Sequence, residues 1–297
     1  MSGDWYRRAG SMAKGQWALE LTQGDAAWKW ASLRVAELAP GGSIDFFTSG
    51  EEMLIVPLAG GCTIESPAGR AILVGRQSPF AATTDFVYVP PGVEVTLASE
   101  GGGRFAVAGA LANADRPFRY VRAEEVQVEL RGAGTCSRQV NNYCMPQTMD
   151  AERLMVCEVL TPSGNWSSYP PHKHDLDTDD ESATEEIYYF EVDGPESGSG
   201  LGYQRVYASD DREIDVLAEV RSGDMVLVPH GWHGPSMAAP GYDLYYLNVM
   251  AGGGARRWLA CFDPAHDWVR NTWPDLEIDP RLPFPAMASH SRREEIR

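Results

Sequence analysis

Short apolar runs broken by turn residues recur along the whole chain. Met53-Leu54-Ile55-Val56, Ala71-Ile72-Leu73-Val74, Phe86-Val87-Tyr88-Val89, Ile187-Tyr188-Tyr189-Phe190, Met225-Val226-Leu227-Val228 and Leu244-Tyr245-Tyr246-Leu247 are the clearest. They are rich in β-branched and aromatic residues, and each is too short for a buried helix, so they predict strands. Turning the chain between them falls to 30 glycines and 20 prolines. Long stretches with helical spacing are scarce. The predicted class is all-β, of the sandwich or barrel type.

The pattern repeats once. Glu51-Glu52-Met53-Leu54 is echoed by Glu185-Glu186-Ile187-Tyr188, an offset of 134 (185 − 51), with Gly60 and Gly194 following at the same distance. Val87-Tyr88-Val89-Pro90-Pro91-Gly92-Val93-Glu94 is echoed by Val226-Leu227-Val228-Pro229-His230-Gly231-Trp232-His233, an offset of 139 (226 − 87). Two matches in the same order predict two copies of one β domain. The 297 residues are enough for two cores. The divide is placed near 120–135, around Arg131-Gly132-Ala133-Gly134, giving domains 1–130 and 131–297. The copies differ in chemistry. Histidines stand at 172, 174, 230, 233, 266 and 290, all in the second copy, and the first has Glu94 where the second has His233. The N-terminal domain is therefore expected to be metal-free, and the C-terminal domain to carry the reaction.

Charge and cysteine content narrow the function. A formal net charge of −17, from 42 acidic and 25 basic residues, is the opposite of a nucleic-acid footprint. An anionic small molecule would need local cations. No apolar run approaches the length of a membrane span, and Met1–Arg8 lacks an apolar signal core. Five scattered cysteines without paired spacing suit reduced thiols, so a cytoplasmic protein without a membrane partner is expected.

His172-Lys173-His174 carries the sharpest signal. On a strand, alternate side chains share a face, so both imidazoles converge while Lys173 points away. Glu186 opens the next apolar strand, and His233 follows the turn Pro229-His230-Gly231. Three imidazoles and a carboxylate suit one divalent metal, Zn²⁺ or Mn²⁺, with Fe²⁺ or Ni²⁺ as alternatives. This order of motifs resembles the cupin superfamily. The gap from His174 to Glu186 is longer than the usual cupin spacing and the Pro-Gly-His turn one residue shorter, which leaves Glu185 as the alternative ligand. Alternation with Tyr188 and Phe190 favours Glu186. Asp175, Asp177, Asp179 and Glu186 also match positions of a calcium-binding EF-hand loop, but Asp180 occupies the place of the glycine its turn requires. A solvated acidic loop beside the site, a candidate lid, is expected instead.

Longer strings narrow the resemblance. Gly164-Asn165-Trp166-Ser167-Ser168-Tyr169-Pro170-Pro171-His172-Lys173-His174-Asp175, Glu185 to Phe190, Pro240 to Gly252 and Asp263-Pro264-Ala265-His266-Asp267-Trp268 resemble the 5-deoxy-glucuronate isomerase family, densely from about residue 136 to 270. The resemblance implies a bicupin of two jelly-roll barrels. It also implies metal-dependent conversion of 5-deoxy-D-glucuronate to 2-deoxy-5-keto-D-gluconate in myo-inositol catabolism. The near alternatives are the related uronate isomerase of pectin breakdown and a metal-dependent cupin dioxygenase. An aldose–ketose shift needs a Lewis acid and a proton shuttle. Glu158, Tyr188, Asp243 and Tyr245 are the catalytic candidates. Arg138 and Arg205 are the candidates for a sugar-acid carboxylate. His230 and His266 are expected outside the metal cluster. The histidine-free barrel offers a surface for a homo-oligomer.

Overall fold

The computed structural model describes residues 5–26, 28–114, 116–194, 200–209 and 212–284, so His290 lies outside the described residues. Every apolar run named above falls within a strand, and the strands form three sheets. In the N-terminal half, a 16-residue strand, Glu51–Ser66, pairs with Gly103–Leu111, Phe86–Val89, Gly69–Arg76 and Glu94–Ser99. By spanning both sides it closes a barrel around Ile44, Met53, Ile55, Ile64, Leu73, Val87, Val89, Leu97 and Phe105. In the C-terminal half, seven strands face six. Val140, Tyr188, Phe190, Val206, Val216, Val226 and Tyr246 fill the space between those sheets. This is the predicted pair of jelly-roll barrels.

A third core lies between the barrels and is built from both. Leu21, Leu33, Leu54, Val56, Phe86 and Ala108 of the first barrel meet Tyr143, Val156, Ile187, Tyr189, Leu227, Tyr245 and Leu247 of the second. The large sheets are thus covered on both faces. That explains why Ile187 to Phe190 is apolar without alternation: odd positions face the neighbouring barrel and even positions face their own interior.

Gln127–Arg131 pairs with Arg138–Cys144 in the C-terminal sheet, whereas Arg119–Val121 pairs with Phe86–Val89 in the N-terminal one. The chain therefore passes from one sheet to the other between 122 and 126. The N-terminal strand Tyr6–Arg7 also crosses, to pair with Met225–Val228 of the second barrel.

The register of the repeat shifts by one residue. Met53 pairs with Val89 as Glu186 pairs with Val228, so Met53 is the counterpart of Glu186, at an offset of 133 (186 − 53). Likewise Phe47 pairs with Glu94 as His172 pairs with His233. Phe47, Met53 and Glu94 thus stand where the second barrel has His172, Glu186 and His233.

The true partner of Glu185 is then Glu52, and both do the same work. Glu185 accepts the N–H groups of Lys29, Trp30 and Ala31 at 2.6, 2.7 and 3.0 Å. Glu52 accepts those of Glu152, Arg153 and Leu154 at 2.9, 2.7 and 2.7 Å. Each barrel thus clamps the start of a strand in the other. At the centre of the shared core, Arg76 meets Glu158 in a bidentate pair at 2.8 and 2.7 Å, with both side chains wholly buried. Asn141 adds a bond to Glu158 at 2.7 Å.

This corrects two catalytic candidates. Glu158 and Tyr245 alternate away from the C-terminal interior; Glu158 is held by Arg76, and Tyr245 packs beside Arg76 and Phe80. The Glu158→Gln variant leaves the Arg76 charge buried without its partner, so unfolding in urea should show a loss of about 3–5 kcal/mol. Metal content should be unchanged. Lost activity at full stability would return Glu158 to the reaction.

Candidate metal centre

Strand geometry brings the distant histidines together. His172 pairs directly with His233 across antiparallel strands, and His174 follows two residues on. The ligating atoms of His172, His174 and His233 lie within 4.8 Å of one another, so the three imidazoles can hold a metal. Glu186 enters from the opposing sheet, its Oε2 lying 2.9 Å from His174 Nε2 and 3.1 Å from His233 Nε2. Gly231 and Gly234 shape the turn and strand that deliver His233. Both have positive φ (92° and 100°), and a Cβ would approach the Tyr207 carbonyl to 2.6 Å and the Ser168 carbonyl to 1.8 Å, so only glycine fits.

The hydrogen bonds behind the rings orient them. His174 Nδ1 lies 3.2 Å from the Thr184 carbonyl and 2.7 Å from its hydroxyl, and His233 Nδ1 donates to the Gly231 carbonyl at 3.0 Å. A proton held at Nδ1 leaves each Nε2 lone pair turned into the cluster, the arrangement of metal-binding imidazoles. Burial, reinforced by His233 and His174, pulls the His172 pKa well down and keeps that ring neutral. Burial opposes ionisation of Glu186, but hydrogen bonds from His174 and His233 outweigh it and hold the carboxyl well below its usual range. Burial alone would lower the His174 pKa, but the contact with Glu186 raises it; a divalent cation would displace that proton, and three imidazole nitrogens around an ionised carboxylate form a donor set that fits one.

Arg131, Arg138, Val140, Met145, Cys157, Val159, Ser168, His172, Glu186, Tyr188, Tyr246, Asn248, Met250 and Trp258 line a cavity beside the cluster. Its volume is about 50 Å³, well below the roughly 300–1,000 Å³ of sites that hold a drug-sized ligand, so a sugar acid enters only as the lining side chains give way. Two cations share one end. Arg131 is bound bidentately by Glu129 at 2.8 Å. Arg138 donates to the Cys136 carbonyl at 3.0 Å and stacks over Trp273, and no carboxylate pairs with it among the described residues. Burial, with Arg131 alongside, lowers its pKa. On the other wall, Ser168 bonds the hydroxyls of Tyr188 and Tyr246 at 3.2 and 3.0 Å.

Of the candidates read from the sequence, the structure brings together His172, His174, Glu186, His233, Tyr188 and Arg138. Three others stand elsewhere. Arg205 faces outward and pairs with Asp215, because Val206 takes the inward position. Asp243 sits in a loop, accepting the Ser163 N–H at 2.7 Å, outside the cavity lining. Glu185 faces the other barrel. Lys173 turns away as expected, bound to Glu181 at 2.7 Å and Asp175 at 3.0 Å. The acidic loop is not held open by repulsion: Lys173 and Arg212 hold Asp175, and Arg257 holds Asp177. Asp175 and Glu186 point to different partners, which removes the calcium reading. His230 lies against the Glu213 carbonyl, and His266 is exposed near Tyr169. Arg131, Tyr246, Ser168 and Asn248 were missed. The last three lie within the strings that carry the resemblance, and choosing Tyr246 over Tyr245 needs the strand parity.

Residues 5–269 match the KduI/IolB family. The chain belongs to the KduI/IolB family. Relatives in this family include a protein named 5-deoxy-glucuronate isomerase from Geobacillus kaustophilus (strain HTA426), 41% identical over 254 residues, covering 84% of this chain and 90% of that one. Another of the same name, from Bacillus subtilis (strain 168), is 37% identical over 253 residues, covering 84% and 91%. Among solved structures, an IolB-like protein from Salmonella typhimurium LT2 superposes with a TM-score of 0.83 at 32% identity, covering 90% of this KduI/IolB chain and 99% of that chain. An oxalate decarboxylase from Lactobacillus farciminis shares the fold, with a TM-score of 0.62 at 10% identity over 88% and 89% of the two chains.

Two adjacent glutamates test the geometry. Glu186→Gln should cost the protein most of its bound metal. Glu185→Gln should keep wild-type metal content but loosen the inter-barrel clamp, lowering stability by about 1–3 kcal/mol. Elemental analysis and urea unfolding on both variants read the difference; metal loss from Glu185→Gln alone would reverse the assignment.

Proposed function

We propose that this chain is a metal-dependent 5-deoxy-glucuronate isomerase of myo-inositol catabolism, converting 5-deoxy-D-glucuronate to 2-deoxy-5-keto-D-gluconate. The observation that carries the reading is a half-buried guanidinium, Arg138, with no carboxylate partner among the described residues, lining the same cavity as His172 and Glu186 of the metal cluster. Relatives about 40% identical over most of the chain bear that activity in their names.

His172, His174, Glu186 and His233 would hold the cation, Zn²⁺ or Mn²⁺ by donor chemistry, with Fe²⁺ and Ni²⁺ compatible. When bound, the ion supplies Lewis-acid polarisation of a carbonyl and its neighbouring hydroxyl. Arg138 anchors the carboxylate at the far end of the sugar through its planar fork. Its stacking on Trp273 presents that fork in one orientation. Tyr188 faces the reacting end. Burial first, then the Glu186 charge, raises its pKa well above the usual phenol value, so at neutral pH it keeps its proton. Its role is that of a proton donor to a substrate oxygen, with Ser168 and Tyr246 holding the hydroxyl in place. The aldose–ketose shift moves one proton from C2 to C1 and one between the two oxygens, with no net oxidation. The wall formed by Val140, Val159, Met145 and Trp258 excludes water from the reacting carbons.

The metal-loaded protein should convert 5-deoxy-D-glucuronate to the ketose without consuming oxygen. Absence of product would reject the substrate, and oxygen-dependent turnover would favour a dioxygenase. Arg138→Met should raise KM by roughly 10–100-fold, the loss expected for a charge-assisted contact to a buried carboxylate. Metal content should be unaffected.

A further inference from the structure

Partners account for most polar groups in the cavity. Glu129 holds Arg131, the Cys136 carbonyl and Trp273 hold Arg138, and Ser168 ties the two tyrosine hydroxyls together. Glu186 faces His174 and His233. Asn248 is the exception. It is only 4% exposed, it lines the cavity, and its amide nitrogen makes no hydrogen bond to any described residue. A buried amide without a partner is costly, and a neighbouring apolar side chain of the same shape would avoid that cost.

Strand register gives Asn248 its place. On Leu244–Ala251, the positions facing the barrel interior are Leu244, Tyr246, Asn248 and Met250. Met250 lies opposite Glu186, Asn248 lies opposite both Tyr188 and Cys157, and Tyr246 lies opposite Val159. Asn248 therefore occupies the row between the metal-ligand carboxylate and the Tyr246 hydroxyl, beside the proposed proton donor. A ligand spanning the metal cluster and Arg138 passes this row.

We infer that Asn248 is a substrate-recognition residue, whose amide N–H donates a hydrogen bond to a hydroxyl oxygen of the bound sugar acid next to its reacting carbons. This rests on the isomerase reading and adds a specificity determinant to it. A site built to bond an oxygen rejects a ligand lacking that oxygen far more strongly than an apolar wall rejects an extra one. Asn248 thus selects polyhydroxylated acids over simple carboxylates that Arg138 alone would accept.

The test uses full-length, metal-loaded protein and an unreactive probe, 5-deoxy-D-glucuronate reduced at C1 to the alcohol. Calorimetry measures its binding to the wild type, Asn248→Leu and Asn248→Asp. Leu removes the amide at similar size, and Asp keeps the shape but removes the N–H donor. Both variants should retain wild-type metal content and bind the probe about 10–100-fold more weakly, as expected when a buried hydrogen bond loses its donor. KM for the substrate should rise in parallel. Wild-type affinity in either folded variant overturns the inference; retention in Asp alone would show that the amide accepts and does not donate. Should Leu fail to fold, the isosteric Asp variant decides. A wild-type protein that converts substrate while Asn248 variants bind normally leaves the isomerase reading standing and rejects the role of Asn248. A wild type that neither binds the probe nor turns over substrate rejects both.

Discussion

The strand Glu185–Val192 has to satisfy two interiors at once, and the rest of the structure follows from that constraint. Its even positions place Glu186, Tyr188 and Phe190 inside the C-terminal barrel, while its odd positions place Glu185, Ile187 and Tyr189 against the other barrel. With a side-chain period of two, a slip of one residue would exchange the sets. It would bury Glu185 among the histidines and put the ligand carboxylate against the backbone of Trp30. The inter-barrel clamp and the metal donor are thus fixed by one register, and the apolar contact between the sheets holds that register in place.

This gives the N-terminal barrel a physical purpose. It lacks the donors, since Phe47, Met53 and Glu94 occupy the equivalent positions. Yet it supplies Arg76, which neutralises Glu158, and the backbone N–H groups that anchor Glu185 one residue from the metal-ligand carboxylate. In return the C-terminal half presents Glu152, Arg153 and Leu154 to Glu52. A duplicated fold in which one copy has lost its ligands need not lose its value, because the outer faces of the sheets still have to be covered. A lone C-terminal barrel would expose Ile187, Leu227, Leu247 and Val249, an apolar face far larger than a soluble monomer ordinarily shows.

Local chemistry made the fold class and the histidine cluster legible in the sequence. Apolar runs mark strands, and His-x-His sets two imidazoles on one face whatever the wider context. The remaining site residues depended on which face of a doubly buried strand points where, and a continuous apolar run hides that parity. Tyr245 and Tyr246 are chemically identical neighbours, and only pairing with Val159 and Leu160 distinguishes them. Glu158 shows the same blindness: a lone acid in an apolar strand reads as catalytic until its partner Arg76, 82 residues away, is seen. The repeat was off by one for a related reason. Two adjacent glutamates in each copy align by identity, whereas the register aligns Glu52 with Glu185 and leaves Glu186 opposite an apolar counterpart.

The net charge of −17 and the proposed anionic substrate are reconciled by distance and burial. Exposed charges farther than the Debye length, about 8 Å at physiological ionic strength, are largely screened. The carboxylates on the surface act through water, while Arg138 and Arg131 act inside a cavity walled by Val140, Val159 and Trp258. There a charge–charge attraction is several times stronger than in bulk solvent. Glu129 is occupied by Arg131, which leaves the half-buried Arg138 without a carboxylate partner among the described residues. The two arginines stand opposite each other on paired strands, Arg131 across from Arg138, and mutual repulsion adds to the cost of leaving the cavity without an anion. Long-range repulsion therefore acts on the approach of the ligand, and the local field determines its binding. Weak attraction of anions to the surface, combined with strong capture of one that also carries oxygens for the metal donors and for Asn248, favours selectivity over indiscriminate anion binding.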